Sequence, residues 1–178
     1  MTPTEATDRL LEAAEELFYA HGVQAVGMDA VRARSGVSLK RLYQTYPAKT
    51  DLVEAYLRRR DERWRASLRE FVHARGDDAL AVFDWLRDWF SEPGFRGCAF
   101  VNSFGEFGEP APGVAAAIRE HKEQVRAYLR GLVSDETVAD QLFSLVEGAT
   151  VLAAITGDPA EATKACEAAK VLLAHSQQ

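Results

Sequence analysis

The chain has 178 residues, enough for one large domain or for a small domain joined to a larger one. Hydrophobic residues make up 47% and charged residues 27%, which is ordinary for a soluble globular protein with a real core. No apolar run reaches the roughly 18 residues that a membrane-spanning helix needs, and the polar N-terminus does not resemble a signal peptide. We therefore expect a cytoplasmic protein that does not contact a membrane.

The net charge of −6 is distributed unevenly along the chain. Residues 32–65 contain ten basic and four acidic residues, so this segment carries +6 and the remainder carries −12. A basic segment on an acidic body is typical of a protein with one surface that faces a polyanion.

Catalytic and metal-binding patterns are absent from the sequence. The four histidines are scattered, and no P-loop, nucleophile elbow or HExxH motif occurs. Cys98 and Cys166 form neither a disulfide framework nor a metal-ligand spacing. We expect no enzyme activity, no metal and no cofactor, and two reduced thiols; a redox-sensing cysteine pair is the alternative.

Helical periodicity dominates the whole chain, which predicts an all-α fold of about nine helices. Thr2 or Thr4 can cap the first helix, and Gly22 can end it. Pro47 ends the third helix, because proline disfavours helical geometry in the residue before it. The predicted helices span residues 3–21, 28–35, 39–46, 49–75, 78–92, 97–108, 114–133, 135–156 and 159–175.

Residues 28–46 have the form of a helix-turn-helix. Gly36 supplies a tight turn between two short helices, and Ser38 is a good N-cap for the second. Val31, Val37 and Leu42 would pack the helices together. A short helix of this kind can enter the major groove of DNA. The side chains left pointing outward are Leu39, Lys40, Arg41, Gln44 and Thr45.

The same region resembles the tetracycline-repressor (TetR) family of one-component regulators. The resemblance rests on AAEELF (13–18), HG (21–22), GVS (36–38), LY (42–43) and YPAKTDL (46–52), with a shorter likeness at GCAFVN (97–102). It implies an N-terminal three-helix DNA-binding domain over residues 1–48. A long helix would join it to a helical ligand-binding and dimerisation domain over residues 49–178.

The resemblance also implies roles for individual side chains in binding DNA. Tyr43, Lys49 and Ser38 would contact phosphates, with Lys49 at the start of the long helix. Lys40, Arg41 and Gln44 are the candidates for reading bases, since Arg and Lys suit guanine and Gln suits adenine. A solvated, non-reading helix face is the alternative for Lys40 and Arg41.

The sequence departs from the family pattern at two places. Gly27 stands where many members have Thr or Ser, so the second helix has no capping hydroxyl there to reach a phosphate. Lys40 and Arg41 replace residues that are often small. Two long cations indicate a different operator or a greater reliance on phosphate contacts.

Aromatic residues crowd the middle of the chain and predict a pocket for an apolar or aromatic small molecule of unknown identity. Ordinary core packing is the alternative for each of them. Asn102 and Glu106 lie four residues apart and could share one face of a helix. The candidate ligand-binding residues are Trp64, Phe71, Trp89, Phe100, Asn102, Phe104, Glu106, His121 and Tyr128.

The last two helices carry apolar stripes that predict a homodimer interface. Two helix-turn-helix units bind two half-sites, and an isologous four-helix contact would pair them. Part of each stripe must be intramolecular core. The candidate interface residues are Val138, Leu142, Leu145, Ala149, Leu152, Ala165, Ala169 and Leu172.

The resemblance therefore implies a ligand-responsive repressor that binds a palindromic double-stranded operator as a dimer. A ligand that prefers one arrangement would change the separation of the recognition helices and release the operator. The alternative is a helical small-molecule-binding or interaction protein with little specific DNA binding.

Overall fold

The computed structural model describes residues 2–107 and 111–175, and within these ranges all regular secondary structure is helical. The described helices are α1 (Pro3–His21), α2 (Met28–Ser35), α3 (Leu39–Thr45), α4 (Lys49–His73), α5 (Ala81–Phe90), α6 (Ala99–Phe107), α7 (Pro112–Leu132), α8 (Glu136–Thr156) and α9 (Ala160–His175). The predicted all-α fold is confirmed. The predicted end of the sixth helix at Gly108 lies outside the described residues.

Local capping explains why the first helix begins where it does. The Thr2 hydroxyl accepts a hydrogen bond from the Glu5 N–H at 3.2 Å, and the Glu5 carboxylate accepts from the Thr2 N–H at 2.7 Å. This reciprocal arrangement satisfies two amides that the helix itself leaves unpaired. Pro3 follows in the first turn, where its missing N–H costs nothing.

The turn between α2 and α3 depends on Gly36. Its backbone is left-handed, with φ 67° and ψ 14°, and its N–H donates to the Arg32 carbonyl at 3.1 Å. Glycine adopts this conformation without the steric penalty of a side chain. The Ser38 hydroxyl then accepts from the Arg41 N–H at 3.3 Å and starts α3 two residues after the turn.

Two compact units make up the chain. Unit 1 comprises residues 1–62 and 99–120. Its core contains Leu10, Phe18, Leu52 and Tyr56, and the rings of Phe18 and Tyr56 meet edge to face at 5.6 Å. This packing fixes α1 against the first half of α4, so the unit extends past the boundary predicted after Ala48.

Unit 2 comprises residues 63–98 and 121–178. Its core is built by the second half of α4, α5, the second half of α7, α8 and α9. Ala162, Ala165 and Ala169 line one face of α9 and are buried, which allows close approach of α9 to its neighbours. The Asp135 carboxylate caps α8 by accepting from the N–H groups of Thr137 and Val138 at 2.8 and 3.2 Å.

Helix α8 is long and apolar enough to cross a membrane by length and composition alone. The core helix of a soluble protein passes the same test, and one face of α8 is buried in unit 2.

Candidate functional sites

Helix α3 presents a polar surface on a firmly anchored backbone. Leu42 is fully buried, and Val31 and Val37 are buried with it, as the sequence predicted. Arg41 and Thr45 are half-buried at the edge of this anchor. The exposed side chains of α3 and its cap are Ser38, Leu39, Lys40, Tyr43 and Gln44.

The long side chains of α3 are not engaged elsewhere in the described part of the chain. No hydrogen bond or ion pair to a described residue involves the side chains of Lys40, Arg41, Tyr43 or Gln44. Thr45 differs, because its hydroxyl donates to the Arg41 carbonyl at 2.9 Å and is left with acceptor capacity only. The free donors of α3 are therefore available to a ligand outside the chain.

At least half of the ten basic residues in the predicted basic segment form ion pairs with acids of the same chain, so the count of +6 overstates the charge that faces outward. Arg34 pairs with Glu16 at 2.7 Å and Arg60 with Glu15 at 3.2 Å. The guanidinium groups of residues 58 and 59 likewise face acids of α1, α4 and α7. Lys40 and Arg41 of α3 form no ion pair with a described residue, so their positive charge is available to a polyanion.

Lys49 begins α4 and lies partly buried beside the loop between α1 and α2. Its ammonium donates to the Gln24 carbonyl at 3.4 Å. Burial lowers the pKa of Lys49, and the negative charge of Glu106 opposes that shift. The side chain keeps two further donors for a phosphate.

The predicted absence of a capping hydroxyl at the start of α2 is confirmed. Gly27 occupies the N-cap position, and no side chain caps this helix. A hydroxyl contact to phosphate from residue 27 is therefore impossible.

Four of the nine candidate ligand residues lie in unit 1. Phe100 is buried, whereas Asn102 is exposed and the Phe104 side chain is 56% exposed. The Glu106 carboxylate accepts from the Gln24 N–H at 2.7 Å. Successive members of this set are two residues apart in α6, so they fall alternately on opposite sides of the helix.

The other five belong to unit 2, where three of them meet. The ring of Trp64 lies edge to face with Trp85 at 4.8 Å, Trp89 at 5.6 Å and His121 at 5.4 Å. These are contact distances for aromatic pairs, so the rings pack on one another rather than around an empty space. His121 is buried.

Phe71 and Tyr128 are half-buried at the edge of the same core. The Arg75 guanidinium lies 3.4 Å from the ring centre of Phe71, and the Arg69 guanidinium lies 5.7 Å from that of Tyr128. The Tyr128 hydroxyl is buried with no hydrogen-bond partner among the described residues. Burial raises the pKa of Tyr128.

Unit 2 also contains an open cavity of about 420 Å³ that the sequence did not indicate. Leu80, Leu132 and Leu173 form apolar parts of its lining, and Asp77 and Asp78 bring carboxylates. Its lining comes from chain segments that are far apart, so no local pattern could have predicted it.

The eight candidate interface residues divide according to the face of the helix on which they lie. Leu152 is exposed, and Leu145 and Leu172 are half-buried. The structure also exposes Val151, Ile155 and Val171, which the sequence analysis missed. The candidates buried in the core of unit 2 are Val138, Leu142, Ala149, Ala165 and Ala169.

Both cysteines are free thiols. Burial raises the pKa of the Cys166 thiol, which makes its reactive thiolate form scarcer. The Cys98 sulfur accepts a hydrogen bond from the Lys122 ammonium at 3.4 Å, and the same ammonium pairs with Glu147. A redox role of either thiol stays a prediction.

Comparisons with known proteins place the chain in a family. The family model for bacterial regulatory proteins of the tetR family matches residues 10–56. The crystal structure of a TetR-family transcriptional regulator from Streptomyces coelicolor is 30% identical with a TM-score of 0.85, and covers 99% of this chain and 92% of that one.

Two further proteins extend the comparison. The HTH-type transcriptional activator FasR of Mycolicibacterium smegmatis is 28% identical over 149 residues, which are 80% of this chain but 59% of FasR. The multidrug binding protein EbrR, crystallised with malachite green, shares the fold with a TM-score of 0.76 at 18% identity, covering 93% and 96% of the two chains. The chain belongs to the TetR family of bacterial transcriptional regulators, which bind DNA through a helix-turn-helix.

Proposed function

We propose that the protein is a dimeric, ligand-responsive repressor that binds a palindromic operator and is released from it by a small apolar or aromatic molecule. The observation that carries the DNA-binding part is the surface of α3. It combines a backbone anchored by the buried Leu42 with unengaged cationic and amide donors, and this is what base readout requires.

Within α3, the roles divide by reach and chemistry. Lys40 and Arg41 suit the acceptors of guanine, and Gln44 suits adenine. Tyr43 is half-exposed and would donate its hydroxyl to a phosphate, as would Ser38 at the helix start. Leu39 would contact thymine methyl groups, and Thr45 and Lys49 would complete the edge of the interface.

The dimer is proposed to form through the outer faces of α8 and α9. Val151, Leu152, Ile155 and Val171 are large apolar side chains that remain exposed on the chain by itself. Contiguous exposed apolar surface on a soluble protein marks an interaction site. In a two-fold dimer the same face would meet its copy, with Leu145 and Leu172 at its margins.

The ligand is proposed to bind in unit 2 at the aromatic cluster around Trp64. A planar aromatic molecule could replace ring contacts of Trp64, Trp89 and His121 with equivalent ones of its own. Malachite green is a suitable probe, because a TetR-fold protein binds it. We expect it to quench tryptophan fluorescence, and expect Trp64→Phe to weaken this binding. If Asp78→Asn weakens it instead, the ligand site is the open cavity.

Activation of transcription is a second candidate, since the relative FasR is an activator. The two are separated by a reporter gene behind the bound site in cells that contain or lack the protein. Higher expression without the protein indicates repression, and lower expression indicates activation.

The decisive experiment is selection of bound duplexes from a random DNA library, followed by gel-shift titration of the recovered sequence. We expect a palindrome whose binding is lost in a Lys40→Ala, Arg41→Ala double variant that keeps its circular dichroism. No sequence preference at low salt would leave a helical small-molecule-binding or interaction protein.

A further inference from the structure

The loop between α1 and α2 is held by a side chain of α6. The Glu106 carboxylate accepts from the Gln24 N–H at 2.7 Å, and the Gln24 side-chain amide donates to the Glu106 carbonyl at 3.1 Å. The two residues are 82 positions apart and both lie in unit 1. A hydrogen bond to an ionised acceptor is stronger than a neutral one, so this attachment is specific.

Gly22 has no side chain, and this leaves space for the Glu106 carboxylate. Its φ is 87°, and a Cβ built on it would lie 3.0 Å from each carboxylate oxygen of Glu106. The loop backbone therefore accommodates the acid closely, and a side chain at this position would displace it.

Lys49 binds the backbone carbonyl of the same loop residue, Gln24. Its ammonium donates to the Gln24 carbonyl at 3.4 Å, so Gln24 bridges Glu106 and Lys49 through its N–H and C=O. The carboxylate and the ammonium do not form a direct ion pair. Burial lowers the pKa of Lys49, and the charge of Glu106, which favours the charged ammonium, partly offsets that lowering.

We propose that Glu106 is an intramolecular competitor of the DNA backbone for Lys49. In the absence of DNA, the carboxylate and the Gln24 carbonyl attract the ammonium that would otherwise bind a phosphate. Any shift of α6 that withdraws Glu106 releases Lys49 for the duplex. This role rests on the proposed DNA-binding function and adds to it an inhibitory carboxylate on α6.

The test is Glu106→Gln, which keeps an oxygen acceptor for the Gln24 N–H but removes the charge. We expect its affinity for the selected operator duplex to increase about threefold to tenfold at physiological ionic strength. Its salt dependence should steepen by nearly one released counterion, because one more lysine engages a phosphate. In a Lys49→Gln background, the same substitution should change affinity by less than about twofold.

Glu62→Gln is the matched control for charge. Glu62 is an exposed acid of α4 in unit 1 with no ion pair to a described residue. It lies thirteen residues from Lys49 on the same helix, about 20 Å along its axis, which exceeds the screening length of physiological salt. We expect Glu62→Gln to change neither the affinity nor the salt slope appreciably.

Three results would overturn the proposal. Glu106→Gln and Glu62→Gln could tighten binding equally, which would make the effect one of net charge. Glu106→Gln could weaken binding without changing the salt slope, which would make Glu106 a support for the loop. NMR titration could find the pKa of Lys49 unchanged by Glu106→Gln. The titration needs no DNA, so it tests this contact even if the wild-type chain binds no operator.

Discussion

Replacing Ile155 by glutamate should separate the proposed dimer without unfolding the chain. The Ile155 side chain is 76% exposed on α8, so it contributes little to the free energy of folding of a single protomer. Full burial of an isoleucine is worth roughly 1.5–3 kcal/mol, and burying the exposed part against a partner is worth about 1–2 kcal/mol. Two-fold symmetry doubles this to about 2–4 kcal/mol per dimer.

At about 1.4 kcal/mol per tenfold, the dimer Kd should rise at least about 30-fold in the Ile155→Glu variant. Analytical ultracentrifugation over a concentration series measures this constant. Val101→Glu is the control, because it places the same charge on an exposed apolar residue of α6. Dimer constants that are equal for wild type and both variants, or a wild-type monomer at micromolar concentration, would refute the assignment of this face.

Four further substitutions test the DNA interface and the core. Arg41→Ala should weaken specific operator binding by about 1–3 kcal/mol and relax sequence preference at one position, and unchanged gel-shift affinity would show that Arg41 reads no base. Lys49→Ala should weaken binding to all duplexes alike and make the salt dependence shallower by about one counterion; a selective loss for one sequence would contradict a phosphate contact. Leu142→Ala should lower the free energy of unfolding by about 2–5 kcal/mol in urea denaturation, since this side chain is fully buried, while Leu152→Ala should cost the monomer far less.

Signals that act over a few residues could be read from the sequence. The capping pair of Thr2 and Glu5, the left-handed Gly36 and the Ser38 cap each set a helix boundary through contacts within three or four positions. The helix-turn-helix is built from such signals alone. Its position and its buried residues were therefore predictable, whereas Arg41 and Thr45, which were predicted to point outward, are half-buried.

Pairings over long separations could not be read in this way. Nothing in the period of α6 indicates that Glu106 faces Gln24, 82 residues away. The predicted role of Glu106 in a ligand pocket stays a prediction. The charge count of residues 32–65 was misleading for the same reason, because it did not include acids from distant parts of the chain. Arg34 and Arg60 look like a polyanion surface by count, but acids of α1 face them in the folded chain.

Helix α8 shows why an apolar stripe alone does not identify an interface. Leu142 and Leu152 both fall in its apolar pattern, yet the first is fully buried and the second is half-exposed. The spacing of apolar residues shows which sides of a helix are apolar. Which of those sides is buried depends on where α5 and α9 pack against α8. Because core residues occupy one side of α8, the apolar side chains on the opposite side stay partly or largely exposed in the part of the chain that the structure describes. In the proposed dimer, a second copy of the chain would gain most by covering that side, where Ile155 is the most exposed residue.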